Sequence, residues 1–355
     1  MIQRVKNCIV TGGAGFIGCE LSRSLLEHFD RVVAIDVLHP QVHKTQERPS
    51  ALHNSVELVI ADICNGDAWI KVLSSLESVD TIIHLAAETG TGQSLTESAR
   101  HSMTNVHGTA VMLDALGQKG IVPRQIILAS SRAVYGEGAW LAPDEKSIFY
   151  PGQRSREQLA AGVWDFDGEV LPMQARSVVP APVSIYGATK LAQENMLSAW
   201  CQAYGTTPTI FRFQNVYGPG QSLINSYTGI VSLFAQLAKR GESIPLYEDG
   251  EMLRDFVLVS DVTAAVLKSL HVQVPAGEIL DVGNGVGTTI KDVAEIVSDI
   301  YGAPPPHVCG KYRFGDVRHA FADIDLTSRI LKWKPAHTLD EGLRLLCNWI
   351  DGSSK

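Results

Sequence analysis

The stretch Thr11-Gly-Gly-Ala-Gly-Phe-Ile-Gly18 restricts the fold more than any other. It follows an apolar run, Val5–Thr11, and opens a segment with helical spacing, Ile17–His28. Glycines at 12, 15 and 18 let the backbone turn tightly from strand into helix with no side chain in the way. The first amides of that helix are then free to hold an anion such as a pyrophosphate. Val- and Ile-rich runs recur at Arg31–Asp36, Val56–Ala61, Thr81–Leu85, Gln125–Ser130 and Thr209–Phe213. Segments of helical periodicity separate them, among them Asp67–Leu76, Thr104–Gly117 and Thr189–Tyr204. This alternation predicts an α/β fold in which a parallel sheet is covered by helices on both faces.

Together with the glycine turn, the alternation predicts a doubly wound sheet of the Rossmann type over residues 1–217, a domain that binds a dinucleotide. From about Gly218 the pattern loosens into shorter elements: Gly229–Arg240, Val262–His271, Thr289–Ile300 and Asp340–Trp349. Residues 218–355 are therefore expected to form a smaller mixed lobe that binds the substrate. The Pro- and Gly-rich stretch 136–182 reads as a loop-rich insertion, and a loop of that length in a compact domain is usually functional or mobile.

Composition narrows the partners. A net charge of −8 over 355 residues argues against nucleic acid or an anionic membrane surface. No apolar run is long enough to span a bilayer. The six cysteines are scattered without a Cys-x-x-Cys pair, which suits reduced thiols in the cytoplasm and offers no metal site.

Asp36 ends the second apolar run, where a carboxylate accepts hydrogen bonds from an adenosine ribose. It repels a 2′-phosphate, and no arginine follows it, so NAD is expected rather than NADP. Gly12, Gly15, Phe16, Ile17 and Gly18 belong to the phosphate turn. Asp62 and Ile63, after the third run, are placed to meet the adenine ring; capping the next helix is an equal reading for Asp62.

Tyr186 and Lys190 stand four positions apart where a helix begins, so their side chains fall on one face. A tyrosine titrates near ~10, and holding it as phenolate at neutrality takes about 4 kcal/mol. A neighbouring ammonium favours the anion. The pair could then act as a general base toward a hydroxyl.

These motifs, with His84-Leu-Ala-Ala87, Asn105, Ser130-Ser131, Arg212-x-x-Asn215-x-Tyr-Gly-Pro219, Arg254-Asp255-Phe256 and Arg313-x-x-Asp316, resemble the extended short-chain dehydrogenase/reductases along essentially the whole chain. That group contains the nucleotide-sugar epimerases and dehydratases. The resemblance implies that Leu85, Ala86, Ala87 and Asn105 help to hold NAD and that Lys190 also bonds its nicotinamide ribose. It gives Ser131 contact with the reacting sugar oxygen. Asn215, Arg254 and Arg313 would meet the nucleotide diphosphate, and Asp316 the nucleoside ribose. Arg132 is counted with the substrate residues, although a structural ion pair suits it equally.

After Ser131, dehydratases of the group carry an acidic pair and pentose-forming decarboxylases a glutamate at the second position. Here Arg132 and Ala133 follow, and neither shuttles a proton. What remains is oxidation and re-reduction at C4: Tyr186 takes the O4 proton, and a 4-keto sugar turns over before the other face is reduced. Within the group, Ala87–Gln93, Arg132–Gly138 and the long insertion resemble the bacterial 4-epimerases acting on dTDP-L-rhamnose. The insertion either covers the sugar pocket, with Trp140, Phe149 or Trp164 as apolar walls, or packs on the surface. Alternatives are a UDP-glucose or UDP-N-acetylglucosamine 4-epimerase, a 4-keto-sugar reductase and a non-catalytic NAD sensor. The resemblance also implies a homodimer through Thr104–Gly117 and Thr189–Tyr204, unless the monomer's own core fills those faces.

Overall fold

A computed structural model describes residues 6–223 and 229–352; Val5, at the start of the first predicted strand, lies outside the described residues. Seven strands form the central sheet: β1 (Asn7–Thr11), β2 (Arg31–Asp36), β3 (Glu57–Ile60), β4 (Thr81–His84), β5 (Gln125–Ser131), β6 (Thr207–Phe213) and β7 (Ile279–Val282). Their order is 3-2-1-4-5-6-7, and every pairing is parallel. The longer helices are α1 (Phe16–Leu25), α2 (Gly66–Ser74), α3 (Gly108–Lys119), α4 (Ile185–Tyr204), α5 (Ile230–Lys239), α6 (Val259–Ser269), α7 (Ile290–Tyr301) and α8 (Leu339–Gly352).

The sheet is buried on both faces, as its continuous apolar strands require. On one face Leu21 and Leu25 of α1 pack with Val262 and Val266 of α6. On the other, Trp69 and Leu73 of α2 meet Met112 and Leu116 of α3 and Leu197 of α4. Strand order reverses at β1, and β2 and β4 flank it on opposite sides. The carboxyl ends of the strands diverge at such a point and leave a crevice for a ligand.

The chain crosses the expected 217/218 boundary in both directions. Strand β7 joins the edge of the sheet beside β6, and α6 packs on α1. A separate core gathers Phe234 of α5, Val293 and Val297 of α7 and Leu346 of α8.

The insertion is not structureless. Trp140–Leu141 pairs antiparallel with Ile148–Phe149 and Glu169–Val170. Trp140 is 1% exposed and packs edge-on against Phe166. Two arginines with no exposed surface to speak of tie the insertion to the C-terminal lobe. Arg154 forks onto Glu248 at 2.7 and 2.9 Å, and Arg318 binds Asp165 and Asp249 at 2.7 Å each. The Arg154–Glu248 pair is buried on both sides, and leaving one partner of such a pair unpaired costs about 3–5 kcal/mol.

Candidate active site

The first turn of α1 carries no acidic side chain, and its N-cap, Gly15, offers no side-chain cap. The leading amides therefore stay open to an anion. Gly12 has φ +65°, and a Cβ there would lie 2.8 Å from the Ala86 nitrogen. The turn is pressed against the Leu85–Ala87 backbone, so only glycine fits. A dinucleotide's pyrophosphate suits this cradle.

The Asp36 carboxylate accepts from the Ala14 amide at 3.0 Å and the Leu38 amide at 2.9 Å, which pins it at the tip of β2. Asp62 accepts from the Cys64 amide at 2.8 Å. The cap of α2 is Asn65, which accepts from Ala68, so the capping alternative for Asp62 falls away.

One cavity of about 780 Å³ runs along the carboxyl ends of the strands. Gly12, Gly15, Phe16, Ile17, Gly18, Asp36, Asp62, Ile63, Leu85, Ala86 and Ala87 border it. So do Ser131, Arg132, Tyr186, Lys190, Asn215, Arg254, Arg313 and Asp316. Asn105 is the exception. It is fully buried behind the wall, and its amide is spent on both backbone groups of Glu88 and on the Thr189 hydroxyl. Its reach toward a ligand is through the Glu88 backbone. Trp140, Phe149 and Trp164 do not border the cavity, so the aromatic wall expected from the insertion is absent from it.

Helix α4 begins at Ser184, whose hydroxyl accepts from the Gly187 amide at 3.1 Å. A Cβ on Gly187 would stand 2.3 Å from the Ala133 carbonyl oxygen. Without one, the helix closes on the turn after β5, and Tyr186 comes beside Ser131. Burial raises the Tyr186 phenol above its ordinary value, while the Ser131 hydroxyl and the Arg132 charge oppose the rise. Lys190 donates to the Ala129 carbonyl at 2.8 Å. Burial pushes it down to about 7, against the pull of Glu194. Arg132, which the four-residue spacing did not point to, is thus a cation that acts on the phenol, while Lys190 lines the same cavity one turn further along the helix.

Glu194 had no role in the sequence reading. It is buried one turn beyond Lys190, is forked by Arg212 at 2.7 and 3.0 Å, and accepts from Ser130. Its signal is visible as an i, i+4, i+8 series of Tyr, Lys and Glu. His84 is locked between the Thr11 and Thr109 hydroxyls, and burial pushes it down to about 3. The loop after β2 was missed as well: His39, Gln41 and His43 border the cavity, and Gln41 exchanges amide hydrogen bonds with the buried Gln93.

Arg132 donates to the Asn215 side-chain oxygen at 2.8 Å. Burial and the Arg254 charge push it down to about 9, so it stays cationic at neutrality. Among the described residues Arg254 donates to the Leu253, Val317 and Arg318 carbonyls and the Met252 sulfur, and Arg313 lies over the Tyr247 ring. Among the described residues none of these three arginines has a carboxylate within ion-pair distance. Cations left unpaired in an acidic protein suit a diphosphate. Among the described residues no cluster of three His, Cys, Asp or Glu side chains could hold a metal, and no helix is long and apolar enough to cross a membrane.

The family described as "NAD dependent epimerase/dehydratase family" matches residues 8–157 and 167–283. The dTDP-L-rhamnose 4-epimerase of Burkholderia thailandensis is 52% identical over 97% of this chain and 95% of its own length. Among solved structures, UDP-glucose 4-epimerase with UDP-glucose from Thermotoga maritima aligns at TM-score 0.81 with 27% identity, covering 98% of this chain and 100% of that one. The Thermus thermophilus UDP-glucose 4-epimerase complex with NAD aligns at 0.76 with 25% identity, covering 98% and 99%.

Proposed function

The chain belongs to the NAD-dependent epimerase/dehydratase family, and from that premise we propose that it is an isomerase inverting C4 of a nucleotide-activated sugar. The substrate pair is dTDP-L-rhamnose and dTDP-6-deoxy-L-talose, joined through a 4-keto sugar. The observation that carries the reaction class is the gathering of Ser131, Tyr186 and Lys190 on one cavity, with Arg132 and Ala133 where eliminating enzymes keep proton-shuttling acids. The sugar and base follow the 52% identical relative.

NAD, when bound, supplies hydride acceptance and return. The residues of the chain do the rest. The Gly12–Gly18 turn and the α1 amides hold the pyrophosphate, and Asp36 selects the unphosphorylated ribose. The Tyr186 phenol takes the O4 proton and gives it back, Ser131 holds that oxygen, and the charges of Arg132 and Lys190 stabilise the anionic phenol. Arg254, Arg313 and Asn215 anchor the nucleotide diphosphate, and Asp316 takes the nucleoside ribose. Binding at that remote handle leaves the ring free to present either face. We place the protein in the cytoplasm as a homodimer built on Thr104–Gly117 and Thr189–Tyr204. Met103, just ahead of the first segment, is 55% exposed and Tyr204 49%, whereas Met112, Leu113 and Leu197 belong to the monomer's core.

The test is turnover of dTDP-L-rhamnose and of UDP-glucose by the purified protein, with products read by NMR. A C4-inverted product from the first and none from the second is expected. Tyr186→Phe should retain fold and NAD and lose turnover by orders of magnitude. Conversion of UDP-glucose alone would move the substrate assignment, and an active phenylalanine variant would remove Tyr186 as the base.

A further inference from the structure

Gln214 sits between Phe213, the last residue of β6, and Asn215, and its backbone amide is tied to the Val282 carbonyl at 2.9 Å. The residue is 5% exposed. Neither its side-chain oxygen nor its side-chain nitrogen has a hydrogen-bond partner among the described residues. Other buried side chains leave single atoms unmet, but here a whole amide, donor and acceptor together, is idle. Gln214 borders the same cavity as Ser131, Arg132, Ala133 and Tyr186.

The polar groups beside it are engaged elsewhere. The Asp255 carboxylate, close by at Gly283, accepts from the backbone amides of Asn284, Gly285 and Ala322. The Asn215 oxygen is held by Arg132. The stem of Gln214 lies close against Gly283, its Cγ 2.8 Å from where a Cβ there would be. A buried amide with no partner is costly for the empty protein, and the cost is recovered only when something polar arrives. A leucine or phenylalanine would fill the same space without that cost.

We propose that Gln214 is a specificity-determining residue that hydrogen-bonds a hydroxyl of the hexose ring other than the reacting one. This rests on the nucleotide-sugar reading of the cavity. The chemistry suits a ring hydroxyl, which donates and accepts at once, as a carboxamide does. A phosphate offers only acceptors and is better met by the three arginines. A sugar held by a neutral amide, away from the cationic anchors, is fixed in position without being charged.

Gln214→Leu tests this. With dTDP-L-rhamnose, kcat/KM should fall roughly 10–100-fold, the range for stranding a substrate hydroxyl against an apolar side chain. Affinity for dTDP, which has no sugar, should stay at the wild-type value, and the melting temperature should hold or rise. Gln214→Met, with its unbranched stem, replaces the leucine variant if that fails to fold. Unchanged kcat/KM and sugar-nucleotide affinity would overturn the proposal. So would an equal loss of dTDP affinity, which points to the nucleotide, or a lowered melting temperature, which points to a structural amide. If the wild type turns over no dTDP-L-rhamnose, the epimerase reading fails by itself. The proposal then stands or falls on whether Gln214→Leu weakens binding of dTDP-L-rhamnose relative to dTDP.

Discussion

Replacing Gly12 with alanine tests the cradle on which cofactor binding depends, and its cost divides into two parts. The first is backbone strain: φ at Gly12 is +65°, and an L side chain held there costs about 1–2 kcal/mol. The second is collision. The new Cβ would stand 2.8 Å from the Ala86 nitrogen, 2.9 Å from its Cα and 3.0 Å from the Leu85 carbonyl carbon. These are backbone atoms that cannot rotate aside, and forcing a methyl into such packing costs about 1–3 kcal/mol more. Gly120 separates the parts, because it ends α3 at φ +62° with nothing within 4 Å of its virtual Cβ. Gly120→Ala should therefore lose about 1–2 kcal/mol, and Gly12→Ala about 2–5 kcal/mol, in urea unfolding. Only Gly12→Ala should weaken NAD in calorimetric titration, by about tenfold for each 1.4 kcal/mol by which the turn is displaced. Equal stability losses in the two variants, with unchanged NAD affinity, would mean that the glycine turn does not lie against Leu85–Ala87 and that the pyrophosphate belongs elsewhere.

Lys190 gives a pH prediction. Its folded value of about 7 lies below the ordinary 10.5, so the unfolded chain binds the extra proton between those limits, and stability rises with pH across that window. The difference in unfolding free energy between wild type and Lys190→Met should climb from pH 7 toward 10, at up to about 1.4 kcal/mol per pH unit, and parallel curves would contradict it. Sedimentation equilibrium should give about twice the 38.5 kDa chain mass for the proposed dimer, and a single-chain mass would refute it.

Much of the fold was open to sequence reasoning because its signals are local. Strands β1 to β6 lie within two residues of the apolar runs that predicted them, and α1 begins at the last glycine turn. Strand β7 escaped because Ile279–Val282 is four residues long in a region already read as a separate lobe, and its partner β6 lies some way back in the chain. Cavity residues carried by motifs were legible for the same reason. What stayed hidden depends on distant partners. Nothing near Arg154 in sequence announces Glu248, and nothing near Arg318 announces Asp165, so a loop-rich insertion concealed a charge-stapled subdomain. Gln214 did leave a mark, a polar residue closing an apolar strand, but its lack of partners is a property of three dimensions.

The Tyr186–Lys190 spacing predicted proximity, but proximity alone does not fix how much charge each side chain brings. Four residues on a helix bring two side chains to one face, but the charge that reaches the phenol depends on what each side chain has to itself. The Lys190 ammonium is committed to the Ala129 carbonyl, and burial takes it to about 7, close to losing its proton at neutrality. Arg132 titrates about two pH units higher and retains its charge there. Below Lys190, Glu194 opposes the loss, yet its own charge is already shared with Arg212 and Ser130. Tyr186, Lys190 and Glu194 are thus one series running down α4 onto the adjacent strands β5 and β6, met from the cavity side by Arg132. A change at Arg132 alters the phenol directly, whereas a change at Glu194 reaches it only through the protonation of Lys190, and the two should move the acid limb of a pH–rate profile by different amounts.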